Sequence, residues 1–198
     1  VTTVGVLAFQ GDVPEHEAEL GKIVGPENVR AVRTARDLAR VHALILPGGE
    51  STAIAKLLDQ TELRIPLRER IERGLPVLAT CAGLILIAQR LEPSPGGRDP
   101  IPLGMLDVGV RRNDYGRQKE SFEAPVRVDG IPGGEFPGVF IRAPRILEVG
   151  KTARAFAWRG DEIVGARSGP VWGLTFHPEL SGDPRLLRAF LQATVATG

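Results

Sequence analysis

The chain has 198 residues, 42% of them hydrophobic and 25% charged, with a formal net charge of +1; this is enough for one substantial core and too little for two ordinary domains. Near-neutral charge offers no footprint for nucleic acid, no apolar run reaches the length of a membrane span, and a single cysteine rules out both an internal disulfide and a cysteine-based metal cluster. A reducing, cytoplasmic setting without a leader peptide is therefore expected.

In chain order, Val4 to Phe9 reads as a buried strand, Pro14 to Val24 as a helix, Val29 to Arg33 and Ala43 to Leu46 as strands, and Thr52 to Asp59 and Leu63 to Arg73 as helices. Pro76 to Thr80 is a further apolar strand, followed by a buried helix over Leu84 to Ala88. Uninterrupted apolar strands alternating with helices predict a parallel sheet covered on both faces. After Leu103 the character changes. Met105 to Val110, Phe122 to Val128, Val139 to Ile141, Ala155 to Trp158, Ile163 to Ala166 and Val171 to Phe176 are short segments broken by Gly and Pro, as in antiparallel β structure, and a helix over Pro184 to Val195 ends the pattern. The expected fold class is a flavodoxin-like α/β fold with a mostly parallel central sheet, flanking helices and an added antiparallel β region, all within one domain spanning 1–198.

In such a sheet the ligand crevice lies beyond the carboxyl ends of the strands, where three features converge: Gln10-Gly11, the turn Pro47-Gly48-Gly49-Glu50-Ser51, and Cys81. Cys81 stands at a strand-to-helix junction, where the reversal through Ala82 and Gly83 presses its side chain outward. A helix N-terminus also favours a thiolate. A base is available in the His177-Pro178-Glu179 string: the proline biases His177 toward extended backbone, and in an extended run residues two apart share a face, so Glu179 can orient the imidazole. His16, among Glu15, Glu17 and Glu19, reads as a solvated helix position, and His42 as a loop residue. The glycine turn lacks the Gly-Lys-Ser/Thr ending of a phosphate loop. Beside a nucleophile it reads better as an oxyanion hole, with the N–H of Gly49 joined by that of Ala82.

The order glycine turn, elbow cysteine, His-Pro-Glu resembles the class I (triad) glutamine amidotransferases. The strings Gly5 to Val13, Leu44 to Thr52, Ala79 to Leu84, Arg112 to Gln118, Ser121 to Ala124, Phe140 to Pro144 and Phe176 to Leu180 look, within that class, like the glutaminase subunits of ribose-5-phosphate-dependent pyridoxal 5′-phosphate synthases. The resemblance implies Cys81 as nucleophile, His177 as base and Glu179 as orienting acid. It further implies glutamine binding by Gly49, Glu50, Ser51, Arg112, Ile141 and Arg142, no cofactor and no metal, and delivery of ammonia to a (β/α)₈-barrel synthase subunit. Two positions depart from the pattern: Ala79 where the elbow usually has Gly, and Pro14 where a basic residue is common. Two other readings remain open at this level, a glutaminase subunit of another amidotransferase such as imidazole glycerol phosphate synthase, and a non-catalytic redox or stress protein of the DJ-1 kind.

Overall fold

Five four-residue apolar strands lie parallel in the order β2 (Val29–Val32), β1 (Val4–Leu7), β3 (Ala43–Leu46), β4 (Val77–Thr80) and β12 (Val171–Leu174) in the computed structural model, which describes residues 2–97, 99–112 and 121–195. The sheet continues antiparallel through β11 (Glu162–Ser168), β10 (Arg154–Arg159), β7 (Ser121–Val128) and β8 (Phe136–Ile141). A second sheet joins β5 (Ala88–Leu91), β6 (Leu106–Arg111) and β9 (Arg145–Val149). The expected parallel sheet with an antiparallel extension is thus present.

Alternation along the strands builds a core on each face. Leu44 and Leu46 enter one cluster with Ile54, Leu58, Leu67 and Leu84, so α3 (Ser51–Gln60), α4 (Arg64–Glu72) and α5 (Ala82–Ile87) cover that face. Ala43 and Ile45 enter the other with Leu20, Leu187 and Phe190, beneath α1 (Val13–Val24) and α6 (Arg185–Val195). Aromatic contacts tie the antiparallel extension to the same face: Phe140 and Phe136 pack on Phe176, and Trp172 on Phe156 and Phe190.

Three elements differ from the sequence reading. The helix after Cys81 begins at Ala82 rather than Leu84 and gives way at Ala88, which opens β5 instead of closing the helix; an apolar run this short carries no period that separates the two. The strand β9 and the one-turn α2 (Ala35–Leu38) were not expected. The latter is held by a capping box in which Thr34 and Asp37 satisfy each other's backbone N–H.

The parallel strands end in loops that approach one another at van der Waals limits. A Cβ on Gly83 would lie 2.1 Å from the Leu46 carbonyl oxygen, so only glycine lets α5 start against the end of β3. Gly83→Ala is expected to cost about 3 kcal/mol in urea unfolding, because the obstacle is backbone. Gly21→Ala, whose Cβ would meet nothing nearer than 3.6 Å on α1, should instead stabilise by about 0.5–1 kcal/mol. Equal effects at the two sites would contradict this account of the packing.

Candidate active site

Cys81 sits between β4 and α5 with φ 48° and ψ −104°, a backbone conformation that L residues avoid. It is fixed from both sides: its N–H donates to the Leu174 carbonyl at 2.9 Å, and its carbonyl accepts from Ile85 N–H at 3.3 Å. The reversal turns the thiol into a cavity of about 280 Å³, small even for a metabolite site. There Sγ lies 3.7 Å from the Ile141 carbonyl oxygen, which accepts its proton.

His177 lines the same cavity. Its backbone is extended, φ −108° and ψ 90°, and its N–H donates to the Val139 carbonyl at 2.8 Å, which seats it against β8. The chain then enters a 3-10 turn, Pro178–Leu180, in place of the continued extension expected from the sequence. The turn still brings Glu179 back to its neighbour: Glu179 Oε1 is 2.8 Å from His177 Nδ1, and both side chains are buried. A second carboxylate reaches the same nitrogen, with Asp12 Oδ2 at 3.3 Å.

Two carboxylates at Nδ1 keep a proton on that atom whether the ring is neutral or charged. Nε2 is then the nitrogen left to act; it is buried and makes no hydrogen bond among the described residues. Burial by itself would lower the imidazole's pKa from 6.5, but Asp12, the Cys81 thiol and Glu179 outweigh it and push the value up to about 12. The Asp12 carboxyl is correspondingly held below its ordinary value, first by its hydrogen bond to His177. Asp12, His177 and Glu179 also have ligand-type atoms within 4.8 Å of one another. Hydrogen bonding of both acids to Nδ1 accounts for that grouping.

The glycine turn forms another wall. A Cβ on Gly48 would stand 2.4 Å from Asp12 Oδ2 and 2.5 Å from His177 Cε1, and one on Gly11 would stand 1.8 Å from the Gly48 oxygen. Gly49 has φ 144°, and the next N–H, that of Glu50, donates to Gln10 Oε1 at 2.7 Å. The Glu50 carboxylate caps α3 by accepting from Thr52 and Ala53 N–H at 3.0 and 2.6 Å. Gly49, Glu50, Ser51 and Ala82 all line the cavity.

Across from them stand Arg112, Ile141 and Arg142. The Arg112 side chain is only 14% exposed and is held by Asp99 at 3.1 Å, Thr52 at 3.3 Å and Glu50 at 3.5 Å, so it is not a solvated strand-edge charge. Arg142 has φ 44°, a second strained non-glycine residue at this cavity. Of the string from Arg112 to Gln118, residues 113–118 lie outside the described residues. The structure thus brings every residue singled out in the sequence to one place, with Glu179 directly behind His177.

Asp12 was not singled out as a site residue, and Gln10 only as part of the loop expected to reach the crevice; both line the cavity after the first parallel strand, where side chains enter it. His16 was misassigned. It is fully buried on α1, with Nε2 3.2 Å from Thr80 Oγ1 and 3.3 Å from Glu179 Oε2. Its four-residue spacing to buried Leu20 was the available signal, outweighed in the reading by three flanking glutamates.

The sequence model of the SNO glutamine amidotransferase family matches residues 6–196. The chain belongs to that family. Among curated proteins, it is 46% identical over 94% of its length to the pyridoxal 5′-phosphate synthase subunit PdxT of Streptomyces coelicolor, covering 91% of that protein. It is also 46% identical, over 95% of its length and 93% of the relative, to the protein of the same name from Geobacillus thermodenitrificans. A crystal structure of a glutamine amidotransferase superposes with a TM-score of 0.88 at 42% identity, covering 98% of this chain and 99% of that one.

The raised pKa of His177 carries a sign for stability. A group whose pKa rises on folding contributes fully below its unfolded value and loses that contribution as pH climbs toward the folded value. The stability difference between wild type and His177→Gln is therefore expected to be largest between about pH 4 and 6.5 and to shrink steadily at higher pH, in urea titrations at pH 5, 7 and 9. A difference that grows with pH would mean that the imidazole is buried neutral.

Proposed function

We propose that this chain hydrolyses L-glutamine to L-glutamate and ammonia, acting as one glutaminase domain, and passes the ammonia to a (β/α)₈-barrel synthase subunit that builds pyridoxal 5′-phosphate. The observation that carries the chemistry is the meeting, in one small cavity, of an outward-turned cysteine with an imidazole whose Nδ1 is occupied by acids and whose Nε2 is not. Membership of a glutamine amidotransferase family and full-length similarity to synthase subunits support the substrate and the destination of the ammonia.

The thiol proton of Cys81 passes to His177 Nε2 as the sulfur attacks the side-chain amide carbon of glutamine, and the C=O electron pair moves onto oxygen. Backbone N–H groups of Gly49 and Ala82 hold that oxyanion, each worth about a hundredfold or more in rate. Collapse of the adduct expels ammonia, which takes a proton from His177 Nε2 and leaves a γ-glutamyl thioester on Cys81. Water attacks the thioester, giving its proton to His177, and glutamate departs as the thiol is restored. Glu179 keeps the proton of the resting ring on Nδ1 throughout. Arg112 grips the α-carboxylate of the substrate, with Glu50, Ser51, Ile141 and Arg142 shaping the rest of the pocket. Cys81 acts only while reduced, which suits a cytoplasmic setting. The full-length match to synthase subunits favours this partner over imidazole glycerol phosphate synthase. The filled set of base and acids favours catalysis over a purely redox role for the thiol.

Glutamine hydrolysis by wild type and Cys81→Ala, each with and without the barrel subunit, tests the reading. Wild type should be stimulated by the partner, and the variant should lose about a thousandfold or more under both conditions. Turnover that survives in Cys81→Ala would remove the thiol from the mechanism, and turnover indifferent to the barrel would remove the partner.

A further inference from the structure

His16 is a buried titratable group that the steps above do not use. It lies one helical turn into α1, its own N–H donating to the Asp12 carbonyl at 3.2 Å, and its ring passes beneath the cavity wall to the rear of Glu179. Burial holds it below its ordinary pKa of 6.5, so the ring is neutral and bears one N–H. The surroundings say which nitrogen has that proton. Nε2 faces two oxygens, Thr80 Oγ1 at 3.2 Å and Glu179 Oε2 at 3.3 Å, whereas Nδ1 is buried with no partner among the described residues. A proton on Nδ1 would strand a buried donor and set a nitrogen lone pair against a carboxylate, so the proton belongs on Nε2.

We propose that His16 is a positioning residue: its Nε2, hydrogen-bonded to Thr80 Oγ1 and 3.3 Å from Glu179 Oε2, an oxygen with no hydrogen bond among the described residues, sets the positive side of the ring against that oxygen so that Glu179 Oε1 stays on His177 Nδ1. Glu179 then lies between two imidazoles, hydrogen-bonded to His177 through Oε1 and in electrostatic contact with His16 at Oε2. The charged groups facing His16 are Glu179, Asp12 and Glu15, which favour its protonation, and His177, which opposes it; Thr80 contributes a neutral hydroxyl. The link also has a direction. Because α1 follows immediately on the Gln10 to Asp12 loop, which itself lines the cavity, a displacement of that loop reaches the buried acid through one turn of helix.

The inference rests on the glutaminase reading of the site, and the test separates the two. In His16→Gln the amide nitrogen reaches the place of Nε2; in His16→Asn it reaches only the place of Nδ1. Glutamine hydrolysis with the barrel subunit present should fall ten- to hundredfold in kcat for His16→Asn, with KM within about twofold, and His16→Gln should stay within about threefold of wild type. In ¹⁵N-imidazole NMR of the chain, the His177 titration should move downward in His16→Asn and return in His16→Gln. Equal kcat for the two variants, or an unmoved His177 titration in His16→Asn, would overturn the role. His16→Met, which keeps bulk and removes the donor, makes the same comparison should the Asn variant fail to fold. A wild type inert toward glutamine would overturn the glutaminase reading instead, while the titration would still report on the link.

Discussion

A carboxyl group taken out of water depends on what its oxygens meet, and Glu179 is such a group. Its two oxygens face His177 on one side and His16 on the other. Those residues come from the segment after β12 and from α1, and the Thr80 hydroxyl beside them ends β4. One buried carboxyl group thus ties together an N-terminal helix, a central strand and the segment leaving the last parallel strand. Removing the His177 imidazole would leave the buried Oε1 without its hydrogen-bond partner, which is more damaging than losing an ion pair at the surface.

That placement is possible because the loops are bare where they touch. Gly11, Gly48 and Gly83 each stand where a Cβ would fall within 2.4 Å of another segment's atoms, and together they let the β1–α1 loop, the β3–α3 turn and the start of α5 share one small volume. The cavity is therefore shaped by backbone as much as by side chains. Its polar groups arrive on elements whose positions the sheet has already set.

The parallel strands and the principal helices were legible because four-residue apolar runs bounded by Gly and Pro leave few other readings. The antiparallel extension was legible only in outline. β9 and β5 depend on pairing with β6, which no local pattern announces. At the site, Cys81, the glycine turn and the His-Pro-Glu string could be found from types and spacing, since each breaks the regular pattern around it. Asp12 and His16 were missed, the second despite its helical spacing to Leu20. An acid in a helix-start loop and a histidine among glutamates have ordinary solvated explanations, and only the fold shows that both are turned toward His177 and Glu179. Arg112 was reached through the family resemblance and not through its own local pattern, because its burial is produced by Asp99, Thr52 and Glu50, remote in sequence.

Local irregularities cluster at this one cavity. Cys81 and Arg142 both hold positive φ, and such backbone costs of order 1–3 kcal/mol each. His177 Nε2 lies buried without a hydrogen bond, a further cost of about 1–3 kcal/mol. A sequence selected for stability alone would put Gly at 81. The strained backbone turns the sulfur outward, and the unsatisfied nitrogen is the one atom of the ring free to carry a proton to or from a reacting group. In the proposed mechanism both are required at the same moment, so the rest of the fold, with its two filled cores, supplies the stability that the cavity gives up.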